Sequence, residues 1–235
     1  MAVDSIPLVL TGTITPRSIL TAYANPTQRR NEYLLALRYY SEHAQVYFVE
    51  NSGYQLNEDA DFTSIPNCKL IELAPSDEFD KGKGFQEFLM LDNWIDQFGQ
   101  NHKGFIKITG RYLVQNINKI IHDIQFGKKN KIIIERLASN LGVALTDVFY
   151  IATEQYNEHL KGCYKEANDK LGVYIEHVVG IKIRDLLNVE VFPNLPKKAG
   201  ISGSTGQPLP EGMKKAIQRV IRNSLYPLQP RYRLI

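Results

Sequence analysis

The sequence predicts an α/β fold, a mostly parallel sheet covered by helices on both faces. Three observations predict it. Short apolar runs that stop in Gly, Thr or Ser recur through the first half, segments of helical period separate them, and 43% of the 235 residues are hydrophobic, enough for a core of generous size. Strands alternating with helices at this spacing pair in parallel, because each crossover is long enough to carry a helix over the sheet.

Ile6 to Leu10 (IPLVL), closed by Thr11, Gly12 and Thr13, reads as the first strand. Asn31 to Glu42 spaces Leu34, Leu35, Leu37 and Tyr40 as one helix face behind an Asn cap, and Gln45 to Val49 (QVYFV) is β-branched and aromatic. Lys69 to Leu73 is the third strand. Gly84 to Phe98 is a helix with Phe85, Phe88, Leu91, Trp94 and Ile95 on a wide apolar face, and Phe105 to Thr109 is the fourth strand. In the second half, Ile132 to Ile134 and Asp147 to Ala152 read as strands, Thr153 to Asn168 as a helix capped by Thr153, and Tyr174 to Val179 as a return to the sheet. Residues 192–211 turn to Pro, Gly, Ser and Lys, a loop in which Ser202 to Gly206 (SGSTG) is either a lid or a plain linker. The expected division is 1–191 as the main domain, 192–211 as this loop, and 212–235 as a basic helical extension carrying Lys214, Lys215, Arg219, Arg222, Arg231 and Arg233. Such a helix lies on an anionic bilayer or docks on the core with its charges solvated.

The composition excludes several classes. A net charge of +3 is far from the one-signed excess of a protein that binds bulk nucleic acid, so no nucleic-acid partner is expected. Cys68 and Cys163 form neither a CxxC pair nor a disulfide framework, which fits a cytoplasmic protein, at most peripheral at the inner face of a membrane. GxxxxGK[ST] is absent, as is GxGxxG after the first strand, which argues against P-loop hydrolysis and Rossmann hydride transfer.

Ligands of open α/β sheets bind where strand-to-helix loops converge at the carboxyl ends of the strands. Four loops are candidates: Thr11, Gly12 and Thr13; Glu50, Asn51 and Ser52; Lys81, Lys83 and Gly84 in DKGKG; and Thr109, Gly110, Arg111 and Tyr112 after Lys107 in FIKITGRY. Their Gly, hydroxyl, amide and cationic groups suit a nucleoside diphosphate, although glycines and hydroxyls also end strands for conformational reasons alone.

These stretches, with VYFVENSGY, KGKGFQEFLML and DVFYIATEQY, resemble the GT-A (Rossmann-like) class of nucleotide-sugar glycosyltransferases. They are similar in particular to small bacterial capsule and lipopolysaccharide transferases with TGRY in place of Asp-x-Asp. The resemblance implies a sugar moved from a nucleotide-sugar donor to a glycan or lipid-linked acceptor. With TGRY where carboxylates would hold a divalent ion, it implies no metal and no cofactor, and Arg111 with Lys107, Lys81 or Lys83 neutralising the departing diphosphate. Lys107 has a second reading, pairing with a buried carboxylate. Asp59-Ala60-Asp61 spells Asp-x-Asp in a polar segment away from that place. An inverting reaction needs a base, for which Glu154 is the first choice and Asp147 and His177 the others; a retaining one needs none. The alternatives are a nucleotidyltransferase on a similar sheet and a non-catalytic scaffold that binds a membrane or protein.

Overall fold

The computed structural model describes residues 6–17, 21–127, 131–137, 140–202 and 205–209. The expected basic extension at 212–235 lies outside the described residues, as do two residues of the SGSTG segment.

The chain folds as β1 (Leu8–Gly12), α1 (Pro26–Ser41), β2 (Val46–Glu50), a short α2 (Ala60–Thr63), β3 (Cys68–Glu72), α3 (Lys83–Gln97), β4 (Gly104–Thr109), β5 (Leu113–Val114), α4 (Ile117–Gln125), β6 (Ile132–Leu137), β7 (Asn140–Ala152), a single turn α5 (Thr153–Gln155), α6 (Ile175–Ile183), β8 (Val189–Glu190) and β9 (Lys198–Ala199). Seven strands form one sheet in the order β3-β2-β1-β4-β7-β6-β8. The first four are parallel, β7 runs antiparallel to both β4 and β6, and β8 is parallel to β6. The expected α/β sheet, mostly parallel and flanked by helices, is the fold observed. Among the described residues no helix is long and apolar enough to cross a membrane.

Strand alternation divides the core. Leu8 and Leu10 of β1 face the layer built by Leu34 and Leu37 of α1 and Ile120 and Ile124 of α4, while Val9 faces Phe88, Leu91 and Trp94 of α3 and Val179 of α6. Both faces of the central strands are dry, so the strands read as continuous apolar runs.

Three local readings are corrected. First, α1 begins five residues before Asn31, because the Asn25 side chain accepts from the Gln28 amide and Pro26 takes the first helical position, where its missing N–H costs nothing. Second, Thr153 caps no long helix. Its hydroxyl donates to the His102 carbonyl at 2.6 Å, and the backbone passes through α5 into a wide turn at Tyr156–Leu160 and a 3₁₀ turn at Cys163–Glu166. Third, Tyr174 to Val179 is not a strand. Ile175, Val178, Val179 and Ile183 are buried at helical spacing on α6, and their β-branched composition mimics a strand only locally.

The packing of α6 on β7 leaves no room at Gly180. A Cβ there would sit 2.2 Å from the Gly142 carbonyl oxygen and 2.8 Å from the Val143 nitrogen. Gly180→Ala must therefore push helix from strand. A destabilisation of about 3 kcal/mol is expected, lowering Tm by roughly 6–12 °C; an unchanged melting curve would contradict the close approach.

Candidate functional site

The carboxyl ends of the central strands are level, with Thr11 opposite Thr109 and Gly12 opposite Glu50. A cleft of about 660 Å³ opens above them. Its floor comes from β1 and β4, one wall from α1, and the other from the start of α3 together with residues 169–176.

The loop after β1 is held in place by its neighbours. The Thr13 amide donates to the Tyr33 hydroxyl (2.9 Å), its hydroxyl donates to Asn51 (2.7 Å), and Thr15 donates to the Ser52 hydroxyl (3.1 Å). Glu50 does not line the cleft. Its buried carboxylate accepts from the amides of Ile14 (3.0 Å) and Ser52 (2.9 Å) and from the Ser52 hydroxyl, which makes it the tie between the first two loops. Burial raises its pKa above the usual carboxylate range, against these donors.

Arg111 lines the cleft at the end of β4. Its guanidinium donates to Glu32 of α1 at 2.7 Å and lies 5.2 Å from the Tyr23 ring centre, and the Tyr23 hydroxyl donates to the same carboxylate at 3.0 Å. Burial works to lower its pKa, but Tyr33 and Glu32 outweigh it and the net shift is upward. Tyr112 also lines the cleft. Its carbonyl accepts from Tyr40 at 2.7 Å, fixing the TGRY turn to α1, and burial next to Asp147 and Glu87 pushes its phenol up to about 12.

Lys107 is corrected. It is fully buried, donating to Glu87 (2.7 Å), Thr109 (3.0 Å) and the Thr146 carbonyl (2.8 Å), and it does not reach the cleft. Its second reading, the buried pair, is the arrangement found. Gly110 sits behind the strand ends, its amide donating to the Thr11 carbonyl at 3.0 Å.

The DKGKG segment splits. Lys81 pairs with Glu78 and lies over Phe85, outside the cleft, whereas Lys83 and Gly84 line it. The amide that would meet a phosphate, that of Lys83, donates to Asp169 at 3.2 Å. Gly82, at φ +111°, has the Asp169 carboxyl 2.1 Å from where a Cβ would be. These glycines therefore make room for the 169–176 segment, and a carboxylate already caps the start of α3.

Of the three candidate bases only Asp147 is at the cleft, beside Thr146 in the middle of β7, with Lys198 of β9 on its Oδ2 at 2.5 Å. Because β7 runs antiparallel to β4, pairing Ala152 with Gly104, Glu154 falls at the opposite edge of the sheet in a shallow depression with His102 and Asn157. His177 is exposed on α6, its ring against Tyr174. Asp59 and Asp61 are engaged by Arg30, whose guanidinium reaches Asp59 at 2.5 and 2.6 Å and Asp61 at 2.7 Å.

Sequence reasoning missed Arg29, Tyr33, Glu87, Asp169 and Glu176, all of which line the cleft. Arg29 donates twice to the Thr13 carbonyl (2.8 and 2.5 Å) and once each to Tyr23 and Tyr33, and burial lowers its pKa. Asn25-Pro26 was the signal that would have started α1 early enough to place Arg29 and Tyr33 on one face. Burial, with Glu87 and Asp169 nearby, raises the pKa of Glu176; it also raises Asp169 and lowers Lys83.

No protein-family model matches this chain, and no curated protein matches it. Among solved structures it is similar to the glycosyltransferase GlyE of Streptococcus pneumoniae TIGR4, at 11% identity and TM-score 0.49, over 80% of this chain and 45% of that one. It is similar to a cytidylyltransferase of Leptospira borgpetersenii, at 8% and 0.47 over 82% and 77%. It is also similar to S. aureus TarS 1–349, solved in complex with UDP-GlcNAc, at 10% and 0.42 over 90% and 60%. The chain thus spans less than half of the pneumococcal protein and three fifths of the staphylococcal one. At such scores these likenesses carry no argument about chemistry.

Proposed function

We propose that this chain is a glycosyltransferase that moves a sugar from a nucleotide-sugar donor to a glycan or lipid-linked acceptor, with side-chain cations rather than a divalent ion at the leaving diphosphate. The observation that carries the reading is the position of Arg111: β4 delivers its guanidinium to the same cleft as Thr11, Thr13, Asn51 and Ser52, at the carboxyl edge of a parallel sheet. A guanidinium spans two phosphoryl oxygens through parallel donors and stabilises charge as the diphosphate departs. The resemblance of FIKITGRY to surface-polysaccharide transferases supports a bacterial capsule or lipopolysaccharide setting.

In this reading Asp147 takes the proton of the attacking acceptor hydroxyl, with Lys198 and the Val148 amide (3.1 Å) fixing its carboxylate. Asp147→Asn is expected to lower kcat by about 10²–10⁴-fold with donor affinity kept. Glu154→Gln, at the far edge, is expected to leave kcat within about twofold, since surface changes away from a site act only weakly. A thermal-shift screen of nucleoside mono- and diphosphates and their sugars, with and without manganese, tests the class. Stabilisation by a nucleoside diphosphate that does not depend on manganese supports it. No response to any nucleotide overturns it, and pyrophosphate release from a nucleoside triphosphate would assign a nucleotidyltransferase instead.

A further inference from the structure

Apart from Arg17 and from Asp147, which Lys198 neutralises, the charges lining the cleft form two groups. Arg29 and Arg111 stand with Tyr23, Tyr33 and Glu32 on the α1 side. Glu87, Asp169 and Glu176 stand with Lys83 on the α3 side. Lys107 cancels Glu87 from below at 2.7 Å, which leaves two carboxylates facing one ammonium. Anionic groups are thus favoured on the α1 side and disfavoured on the α3 side.

Thr11 supplies an independent observation on the α3 side. It is 2% exposed and lines the cleft, on the same face of β1 as Val9, beneath α3, yet its hydroxyl has no hydrogen-bond partner among the described residues. A buried hydroxyl without a protein partner is costly and calls for a bound group, a ligand or an ordered water, to satisfy it. Nearby, Asp169 accepts from the Lys83 amide at 3.2 Å. The half-buried Glu176 also lines this side of the cleft. At the mouth, Phe79 and Tyr174 line the cleft while 39% and 44% exposed, two aromatic rings kept open to solvent.

Hydroxyl acceptors, an unused hydroxyl and exposed aromatic rings together match a pyranose, whose O–H groups donate to carboxylates and whose C–H face packs on an aromatic ring. We propose that the α3-side half of the cleft is a subsite for an uncharged, hydroxyl-rich saccharide, held by Thr11, Asp169 and Glu176 beneath Phe79 and Tyr174. It rests on the glycosyltransferase reading and adds to it the class of sugar, neutral rather than a uronate or a phosphorylated one. Two carboxylates against one ammonium repel a further anion, as like charges do at close range.

Ligand-observed saturation-transfer NMR on the full chain tests it, with methyl β-D-glucopyranoside and methyl β-D-glucuronide as probes, each with and without UDP. The neutral glycoside is expected to respond at least about fivefold more strongly than the glucuronide, and Thr11→Val to weaken that response by about fivefold, the size of one lost hydrogen bond. Asp169→Asn with Glu176→Gln is expected to bring the glucuronide to parity. Equal responses in the unmodified chain, no response to either glycoside with or without UDP, or a neutral response indifferent to Thr11→Val each overturn the subsite. Failure of every nucleoside diphosphate to bind in the thermal-shift screen counts against the glycosyltransferase reading and not against the subsite.

Discussion

Replacing Arg111 with alanine is expected to weaken binding of a nucleoside diphosphate by about 10–100-fold, the size of losing charge-assisted hydrogen bonds worth about 1.5–3 kcal/mol. The same substitution strands Glu32, whose Oε2 lies 2.7 Å from the guanidinium, so stability must be read beside affinity. Glu32→Gln separates the two effects. It keeps Arg111 in place, still packed against Tyr23, but removes the anion that competes with phosphate, so binding is expected to be unchanged or tighter. Calorimetric titration with a nucleoside diphosphate and thermal melts on all three proteins give the answer. If Arg111→Ala lowers Tm and leaves the Kd within about twofold, the guanidinium is only a tie between β4 and α1, because a directly bound phosphate would register the loss.

A stability effect as large as that of Gly180→Ala is expected at Lys107. Its ammonium is fully buried and holds Glu87, Thr109 and the Thr146 carbonyl at once. Removing one partner of a buried pair costs about 3–5 kcal/mol, and since the Glu87 side chain is 22% exposed, Lys107→Ala belongs at the low end. The double variant Lys107→Met with Glu87→Leu is expected to recover most of the loss, because it strands no charge. Chemical denaturation measures both. Affinity for a nucleoside diphosphate, corrected for the folded fraction, is expected to stay within about twofold in Lys107→Ala, the mark of a group in the interior rather than one in contact with ligand.

The parallel half of the fold was legible because β1, β2 and β4 are buried on both faces along nearly their whole length and so appear as short apolar runs with a turn residue after them, and the edge strand β3 keeps enough apolar residues to follow the same pattern. Leu8–Gly12, Val46–Glu50, Cys68–Glu72 and Gly104–Thr109 differ from their expected bounds by one or two residues. The antiparallel half was not, for a reason visible at Glu154. Whether a residue after a strand reaches the ligand edge depends on the direction of the strand, and nothing within DVFYIATEQY encodes that β7 runs against β4. The helix at Ile117–Gln125 was missed altogether although Ile117, Ile120, Ile121 and Ile124 keep a clean helical spacing. At the site, Thr11, Gly12, Thr13, Asn51, Ser52, Lys83, Gly84, Thr109, Arg111, Tyr112 and Asp147 do converge. Glu50, Lys81, Lys107 and Gly110 do not, because strand alternation and local pairing turn them elsewhere. Of the carboxylates, Asp169 follows directly after the segment read as a helix and Glu176 lies in one read as a strand, and only tertiary packing brings them over the start of α3.

That packing orders events during synthesis. The amide at the head of α3 is capped by a side chain 86 residues further along, so when the four parallel strands have left the ribosome the wall opposite α1 has yet to be made. Domains form as units once their distant contacts can be satisfied. A nascent chain of this protein therefore carries Arg29 and Arg111 well before the cleft is closed, which happens only once residues 169–176 have emerged.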